Sequence, residues 1–286
     1  MNQIKKFSKR YCSKEQSKET KKHISEKHPS KFALMYYEVA QSMGLEENKC
    51  LDFARLVASI DNIYASLDGL VDSKLNSEQK IRYVQNIVEG YDLIRRLDRF
   101  RLPYEPVKKA FDDGIDLFMR ESKITQGQIP FNETELLHML DLANCDFQSI
   151  TDLFLEYLPK GVGEERRVFR EFMAGYTKSD LICDHIVDLS EDRDNNSFNL
   201  LLWRDSEEDL ASTRNYFVRK AFRFIEEAQI PLKKNNKLTK QLQFYLDGQR
   251  EGLQIYEDNN FLINNSQREE LERILLKPHP WENGQN

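Results

Sequence analysis

Several kinds of residue pattern are scarce or missing in this sequence of 286 residues. No apolar run is long enough to cross a membrane. The cysteines are scattered and none belongs to a CxxC pair, which argues against a zinc site and a disulfide framework and favours a reducing, cytoplasmic location: Cys12, Cys50, Cys145 and Cys183. The net charge is −6, so bulk electrostatics do not favour nucleic acid as a partner.

Strand signals are also missing. No stretch alternates apolar and polar residues, and no Asn-Gly or Asp-Gly turn joins two apolar runs. The GxSxG motif of many hydrolases and the P-loop motif are absent too. The sequence therefore predicts an all-α protein, with a single helical domain over 31–276, a basic polar segment at 1–30 and a tail at 277–286.

Apolar residues recur at helical spacing along most of the chain. Together with capping and stop signals they predict about eight to ten helices, with ends uncertain by a few residues. The predicted helices cover 32–43, 48–71, 76–92, 106–120, 132–157, 164–189, 210–228, 238–256 and 267–276. The helix that begins near Asn132 carries the Asn-x-x-Glu pattern of a helix N-terminus.

The most informative stretch reads TKSDLICDHIVDLSEDRDNNSFN, over 177–199. Asp180, Asp184, Asp188 and Asp192 follow one another at four-residue steps, with Glu191 beside the last. On a helix this spacing aligns carboxylates on one face, where like charges repel and burial without a counter-charge is costly. Mg²⁺, which prefers oxygen ligands, is a natural counter-charge. The alternative interpretation is a solvated acidic face above an ordinary core.

A second acidic pair favours the metal interpretation. Asp68 and Asp72 lie in the sequence SLDGLVDS, and Asp61 precedes Asp68 by seven residues on the same face of an apolar helix. Two such helices could face each other across a cavity and bind several Mg²⁺ ions, which would hold a diphosphate group.

These two motifs resemble those of the tetraprenyl-β-curcumene synthase family. CDHIVDLSEDRDNNSFN is similar to that family's LDYxIDxEEDRxxGDLNF segment, and SLDGLVDS to its LDNLCDR motif. Weaker similarity extends from about residue 51 to 258, and the wider squalene and phytoene synthase superfamily shares the paired DxxxD plan. The resemblance implies the class I isoprenoid synthase helical bundle, built around a central apolar cavity.

The resemblance also implies a function. The chain would be a Mg²⁺-dependent terpene synthase or prenyltransferase, a lyase or transferase that ionises an isoprenyl diphosphate and directs the carbocation toward cyclisation or condensation. The acids expected to act in catalysis and to bind metal are Asp68, Asp72, Asp184 and Asp188, with Glu191 and Asp192 as further metal ligands. The side chains expected to contact substrate are Arg193, Tyr64, Phe172 and Tyr176, although core packing is the simpler role for each of the three aromatic rings.

The sequence departs from the family in ways that leave the product open. The segment 140–150 lacks the tryptophans expected around a cyclising cavity, since Trp203 and Trp281 both follow the second motif. Asn195 and Asn196 stand where the family tends to have glycine. Substrate length and the cyclising step therefore stay undetermined, as do a homodimer and a peripheral membrane contact for a lipophilic substrate or product.

Two rival functions deserve comparison. The chain could be a non-catalytic superfamily member that acts as a binding or assembly protein, although intact acids in both motifs argue against decay. A di-iron site is the second rival, because Glu135 and His138 form one ExxH element. Di-iron bundles need two such elements, and the sequence contains only this one.

Overall fold

The computed structural model describes residues 29–71, 77–96, 104–159, 161–202 and 207–275. These residues are mostly helical and include no β-strand, which confirms the all-α prediction for the part of the chain that they cover. The helices are α1 (Pro29–Ser42), α2 (Glu47–Val71), α3 (Ser77–Arg96), α4 (Tyr104–Thr125), α5 (Glu133–Tyr157), α6 (Gly163–Asn195), a 3-10 turn (Leu200–Leu202), α7 (Glu207–Leu232), α8 (Asn236–Asp258) and α9 (Asn265–Leu275).

Asparagines cap α5 and α8 at the N-terminus and α6 at the C-terminus. The Asn132 side chain accepts a hydrogen bond from the Glu135 amide at 3.0 Å, as the sequence predicts. Asn235 caps α8 in the same way, accepting from the Leu238 amide at 3.1 Å. At the other end of α6, Asn196 adopts a left-handed conformation with φ 57°, which asparagine tolerates better than most residues.

Helix α6 is longer than the sequence predicts. The predicted end near residue 189 is wrong, because the helix continues through the acidic residues to Asn195. The Asn196 amide donates to the carbonyls of Asp192 and Arg193 and so ends the helix. All of the acids at four-residue steps therefore belong to one continuous helix.

Six helices close into a ring. Around it, α2 packs against α4, α4 against α5, α5 against α6, α6 against α8, α8 against α1, and α1 against α2. In this order α2 and α6 stand opposite each other. Helices α3, α7 and α9 lie outside the ring, on α2, on α6 and on α8 respectively.

Four aromatic side chains fill the ring at one level. Tyr36 of α1 lies with its ring centroid 6.1 Å from Phe53, 5.1 Å from Phe154 and 5.4 Å from Phe169. Phe154 of α5 also contacts Phe53 at 4.8 Å and Phe169 at 5.5 Å. All four side chains are fully buried. They join α1, α2, α5 and α6 through edge-to-face and stacked contacts, so this level is a solid core.

Helix α7 approaches the outer side of α6 closely at one glycine. A Cβ atom on Gly175 would lie 2.7 Å from the Phe224 carbonyl oxygen and 2.8 Å from the Ala228 amide nitrogen. Since both are backbone atoms, only glycine permits this approach.

Among the helices that the structure describes, none combines the length and the apolar character needed to cross a membrane.

Candidate functional site

Helices α2 and α6, which carry the two acidic motifs, run in the same direction. The contact pairs Lys31 with Asp180, Phe32 with Tyr176 and Tyr36 with Phe169 show that α1 is antiparallel to α6. Helix α1 is also antiparallel to α2, because a short turn at 43–46 joins the two and they pack together. It follows that α2 and α6 are parallel.

The two acidic motifs lie at the same height along these helices. Phe53 and Phe169 mark one level, because both contact Tyr36 and Phe154. Asp68 is 15 residues beyond Phe53, and Asp184 is 15 residues beyond Phe169. Both backbone positions are thus about 22 Å further along, after the same rotation about the helix axis. We call this end of the ring the acidic end.

Asp180, the first acid on α6, has protein partners. Lys31 of α1 contacts its Oδ1 directly, and Gln249 Nε2 of α8 donates to the same oxygen at 3.0 Å. The Lys31 side chain is 5% exposed and that of Asp180 is 13% exposed. The partly buried carboxylate at this position is therefore compensated by an ammonium group and an amide.

The next acids contact an arginine from the end of the described chain. Arg268 of α9 lies 2.9 Å from Glu191 and 3.6 Å from Asp188. Asp188 is buried, whereas Glu191 is partly exposed. The guanidinium group supplies positive charge at the position where the sequence suggests a metal ion.

The last acid of the ladder is bound to the chain that follows α6. Asn199 donates to Asp192 Oδ2 at 2.8 Å and to the His185 carbonyl at 2.8 Å. Its own Oδ1 accepts from the Leu201 amide at 2.9 Å. Asn199 therefore folds the 3-10 turn back onto the end of α6. Asp184, between these clusters, is half-buried.

Two of the predicted substrate-binding rings are part of the core. Phe172 stacks on Tyr176 with centroids 5.3 Å apart, and both are fully buried. Tyr176 also meets Phe32 at 6.0 Å and Tyr245 at 6.3 Å. Burial, with the nearby Asp180 charge adding to it, raises the pKa of the Tyr176 hydroxyl well above its usual value.

The third predicted ring, Tyr64 of α2, is also buried. It packs against α4 at Gly114, where an added Cβ would lie 2.4 Å from the Tyr64 ring. Tyr64 stands 11 residues beyond Phe53, and Asp180 stands 11 residues beyond Phe169, so the two occupy equivalent positions on the parallel helices.

Arg193 and Asp68 lie near the ends of α6 and α2. Arg193, on the last turn of α6, is exposed. Asp68 belongs to α2, but the structure describes only its backbone, and Asp72 lies outside the described residues. Asp61, two helical turns before Asp68 on α2, is buried.

The metal prediction stays a prediction. Within the described residues, no three His, Cys, Asp or Glu side chains converge closely enough to hold a metal ion. Side chains from both α2 and α6 would be needed, and those of Asp68 and Asp72 are not among the ones described.

The ExxH element has a simpler explanation in the structure. Glu135 accepts a hydrogen bond from Arg120 at 2.9 Å across α4 and α5, and the same pairing raises the pKa of Arg120. His138 is exposed. Glu135 thus joins two helices, as expected for a structural ion pair.

Sequence reasoning missed the partners of the acids. Lys31 follows a lysine-rich segment that looked merely polar, and Arg268 and Gln249 are 88 and 69 residues away from Asp180 along the chain. No spacing rule connects residues so far apart. The sequence offers one signal for Asn199, because this residue stands at the end of the acidic stretch.

No protein-family model, no curated protein and no solved structure matches this chain.

Proposed function

We propose that this chain is a Mg²⁺-dependent class I isoprenoid synthase that ionises an isoprenyl diphosphate at the acidic end of the ring. One observation carries the proposal: two parallel helices on opposite sides of the ring bear Asp68 and Asp184 at the same height and the same rotation. This register would allow carboxylates from both helices to reach one shared site.

The donor set suits Mg²⁺. Asp184, Asp188 and Asp192 offer carboxylate oxygens at one-turn spacing on α6, and Asp68 and Asp72 would supply oxygens from α2. When bound, Mg²⁺ supplies positive charge that stabilises the departing diphosphate oxygens. Arg268 already contacts Asp188 and Glu191, which indicates that this end of the ring attracts cations.

The protein side chains have two tasks in this reaction. At the acidic end, the carboxylates would hold Mg²⁺, whose positive charge would favour departure of the diphosphate with the electron pair of the allylic C–O bond. Further into the ring, the buried rings of Phe172 and Tyr176 would exclude bulk water from the reacting centre. Because the level of Phe53 and Phe169 is filled, the apolar chain of the substrate would lie between that level and the acids, where it would displace part of the packing of Phe172 and Tyr176.

A non-catalytic binding or assembly role is the second candidate. The observation that favours it is the pairing of the acids on α6 with Lys31, Arg268 and Asn199, which compensates them without a metal. In that case the motifs would serve to join helices rather than to bind diphosphate.

Diphosphate release distinguishes the two candidates. The purified chain would be incubated with allylic diphosphates of increasing length, with and without Mg²⁺, and free diphosphate measured. We expect release that requires the metal and falls by at least about 100-fold in Asp188→Asn, in line with losing an electrostatic group at the reacting centre.

Asp194→Asn is the matched control, because Asp194 is an exposed carboxylate on the same last turns of α6. This variant should release diphosphate at the wild-type rate. Absence of release with every chain length, or equal loss in both variants, would favour the non-catalytic role.

A further inference from the structure

A polar cluster lies inside the ring, one helical turn below Asp184. It consists of Lys31 of α1, Tyr176 and Asp180 of α6, and Gln249 of α8, and we call it the Lys31 cluster. Three neighbouring helices of the ring meet there. The acids of the proposed site and the solid aromatic level lie on either side of it along α6.

The members of the Lys31 cluster are in direct or near contact. Lys31 Nζ contacts Asp180 Oδ1, and Gln249 Nε2 donates to that same oxygen at 3.0 Å. Lys31 Nζ is also 5.2 Å from the centroid of the Tyr176 ring, within the range of a cation–π contact. Ammonium, carboxylate, amide and phenol therefore share one small region that is largely shielded from bulk solvent.

This region contains more hydrogen-bond donors and acceptors than the described side chains use among themselves. Gln249 is 1% exposed and Tyr176 is 0% exposed. Among the described residues, neither Gln249 Oε1 nor Tyr176 Oη has a hydrogen-bond partner. Lys31 brings three N–H donors, of which the contact with Asp180 uses one.

The orientation of the Gln249 amide determines which of its two polar atoms lacks a partner. Nε2 must face Asp180, because turning the amide over would place its oxygen against a carboxylate oxygen. Gln249 Oε1 is therefore a buried acceptor that does not face Asp180. Buried polar atoms are almost always satisfied, by protein or by ordered water that makes two to four hydrogen bonds.

We propose that the Lys31 cluster binds an internal water molecule, held by Gln249 Oε1 and Tyr176 Oη, which captures the carbocation and makes the product an alcohol. The role in catalysis rests on the proposed function, whereas the binding of water does not. Gln249 and Tyr176 are then positioning residues for the attacking water.

The reaction balances with water as the only co-reactant. After the C–O bond to diphosphate breaks, a lone pair of the water oxygen forms a new C–O bond to the cationic carbon. The resulting oxonium loses a proton to the carboxylate of Asp180, which is in contact with Lys31. In sum, an allylic diphosphate and water give an alcohol, diphosphate and a proton.

A crystal structure of the wild-type chain tests the binding of water. We expect one ordered water within hydrogen-bond distance of both Gln249 Oε1 and Tyr176 Oη. A dry cluster, with these two atoms bonded to other protein groups, would overturn the proposal.

Product analysis tests the catalytic role. Gln249→Met keeps the side-chain length but removes the acceptor, together with the Nε2 donor to Asp180, and we expect the ratio of alcohol to hydrocarbon among the products to fall at least tenfold. Gln254→Leu is the matched control on α8, because Gln254 is exposed and bonds only to nearby Asp258 in the described structure. It should leave the ratio unchanged.

The outcomes separate the two proposals. If diphosphate is released but the wild type makes only hydrocarbon, the role of the cluster in water capture is wrong and the proposed function stands. If no diphosphate is released, the proposed function is wrong, and the crystal structure alone decides whether the cluster binds water. An unchanged product ratio in a folded Gln249→Met variant also contradicts the capture role.

Discussion

The two ends of α6 are stabilised in different ways. Near its start, the buried side chain of Phe169 packs against the rings of Tyr36 and Phe154. Near its end, Asp188 and Glu191 contact Arg268, and Asp192 is bound by Asn199. One end is a core of fixed shape, whereas the other is an assembly of charges that different cations could satisfy.

This difference separates folding from function within a single helix. Shape complementarity is lost when atoms are removed, and no solute can replace it. Electrostatic compensation can be exchanged, since an ammonium, a guanidinium or a metal ion can each neutralise a carboxylate. The aromatic level should therefore set the stability of the ring, and the acidic end its response to ions.

The largest effect should follow from removing a ring at the aromatic level. Phe154→Ala leaves a cavity between α1, α2, α5 and α6, so the free energy of unfolding should fall by about 3–5 kcal/mol. Urea unfolding followed by circular dichroism measures it. Leu137→Ala is the control on α5, because Leu137 is 48% exposed, and it should cost under about 0.5 kcal/mol. Similar losses in both variants would contradict the packing described here.

A smaller effect is expected at the acidic end. Arg268→Gln leaves Asp188 and Glu191 without their guanidinium contact, which should lower the free energy of unfolding by about 1–2 kcal/mol, given partial exposure of the pair. Millimolar Mg²⁺ should restore part of this loss, because it can replace the missing positive charge.

The exposed Arg167–Glu171 pair on the same helix provides a control for Arg268→Gln. Arg167→Gln should change the free energy of unfolding by less than about 0.5 kcal/mol and show no gain with Mg²⁺. If Mg²⁺ stabilises neither variant, the acidic end does not exchange one cation for another.

The smallest effect concerns alkaline pH. Burial raises the pKa of Tyr176 and Tyr245 well above 10, so the folded chain keeps two protons that the unfolded chain loses. Stability should be complete below about pH 10 and decrease above it, by about 0.8 kcal/mol for each tyrosine at pH 10.5. Urea unfolding of Tyr176→Phe should show a shallower decrease, and an unchanged slope would exclude this origin.

Much of the fold follows from local sequence rules. Helical periodicity, the capping residue Asn132 and helix stops such as Gly44 predict where most helices begin and end. The end of α6 was missed because apolar periodicity stops at Leu189, while its polar last turns are held by the Asn196 cap and the Asn199 bridge. Helical turns that are held only by capping side chains contain no periodic apolar residues from which the sequence could predict them.

The site could be predicted only in part. The acids on α6 were identified by their spacing, which is a local property. Their partners Lys31, Gln249 and Arg268 depend on how α1, α8 and α9 pack onto α6, and that arrangement is set by side-chain shapes far apart in the sequence. The spacing of the acids also does not determine whether they bind metal or only join helices.

The parallel direction of α2 and α6 has an electrostatic consequence of its own. Helix α8 runs parallel to them, since Tyr245 meets Tyr176 and Gln249 meets Asp180. Three backbone macrodipoles thus direct their partial negative charge toward the acidic end, in addition to the carboxylates. That end of the ring would hold a negative potential even if single aspartates were neutralised, so any anionic ligand must arrive together with cations or after them.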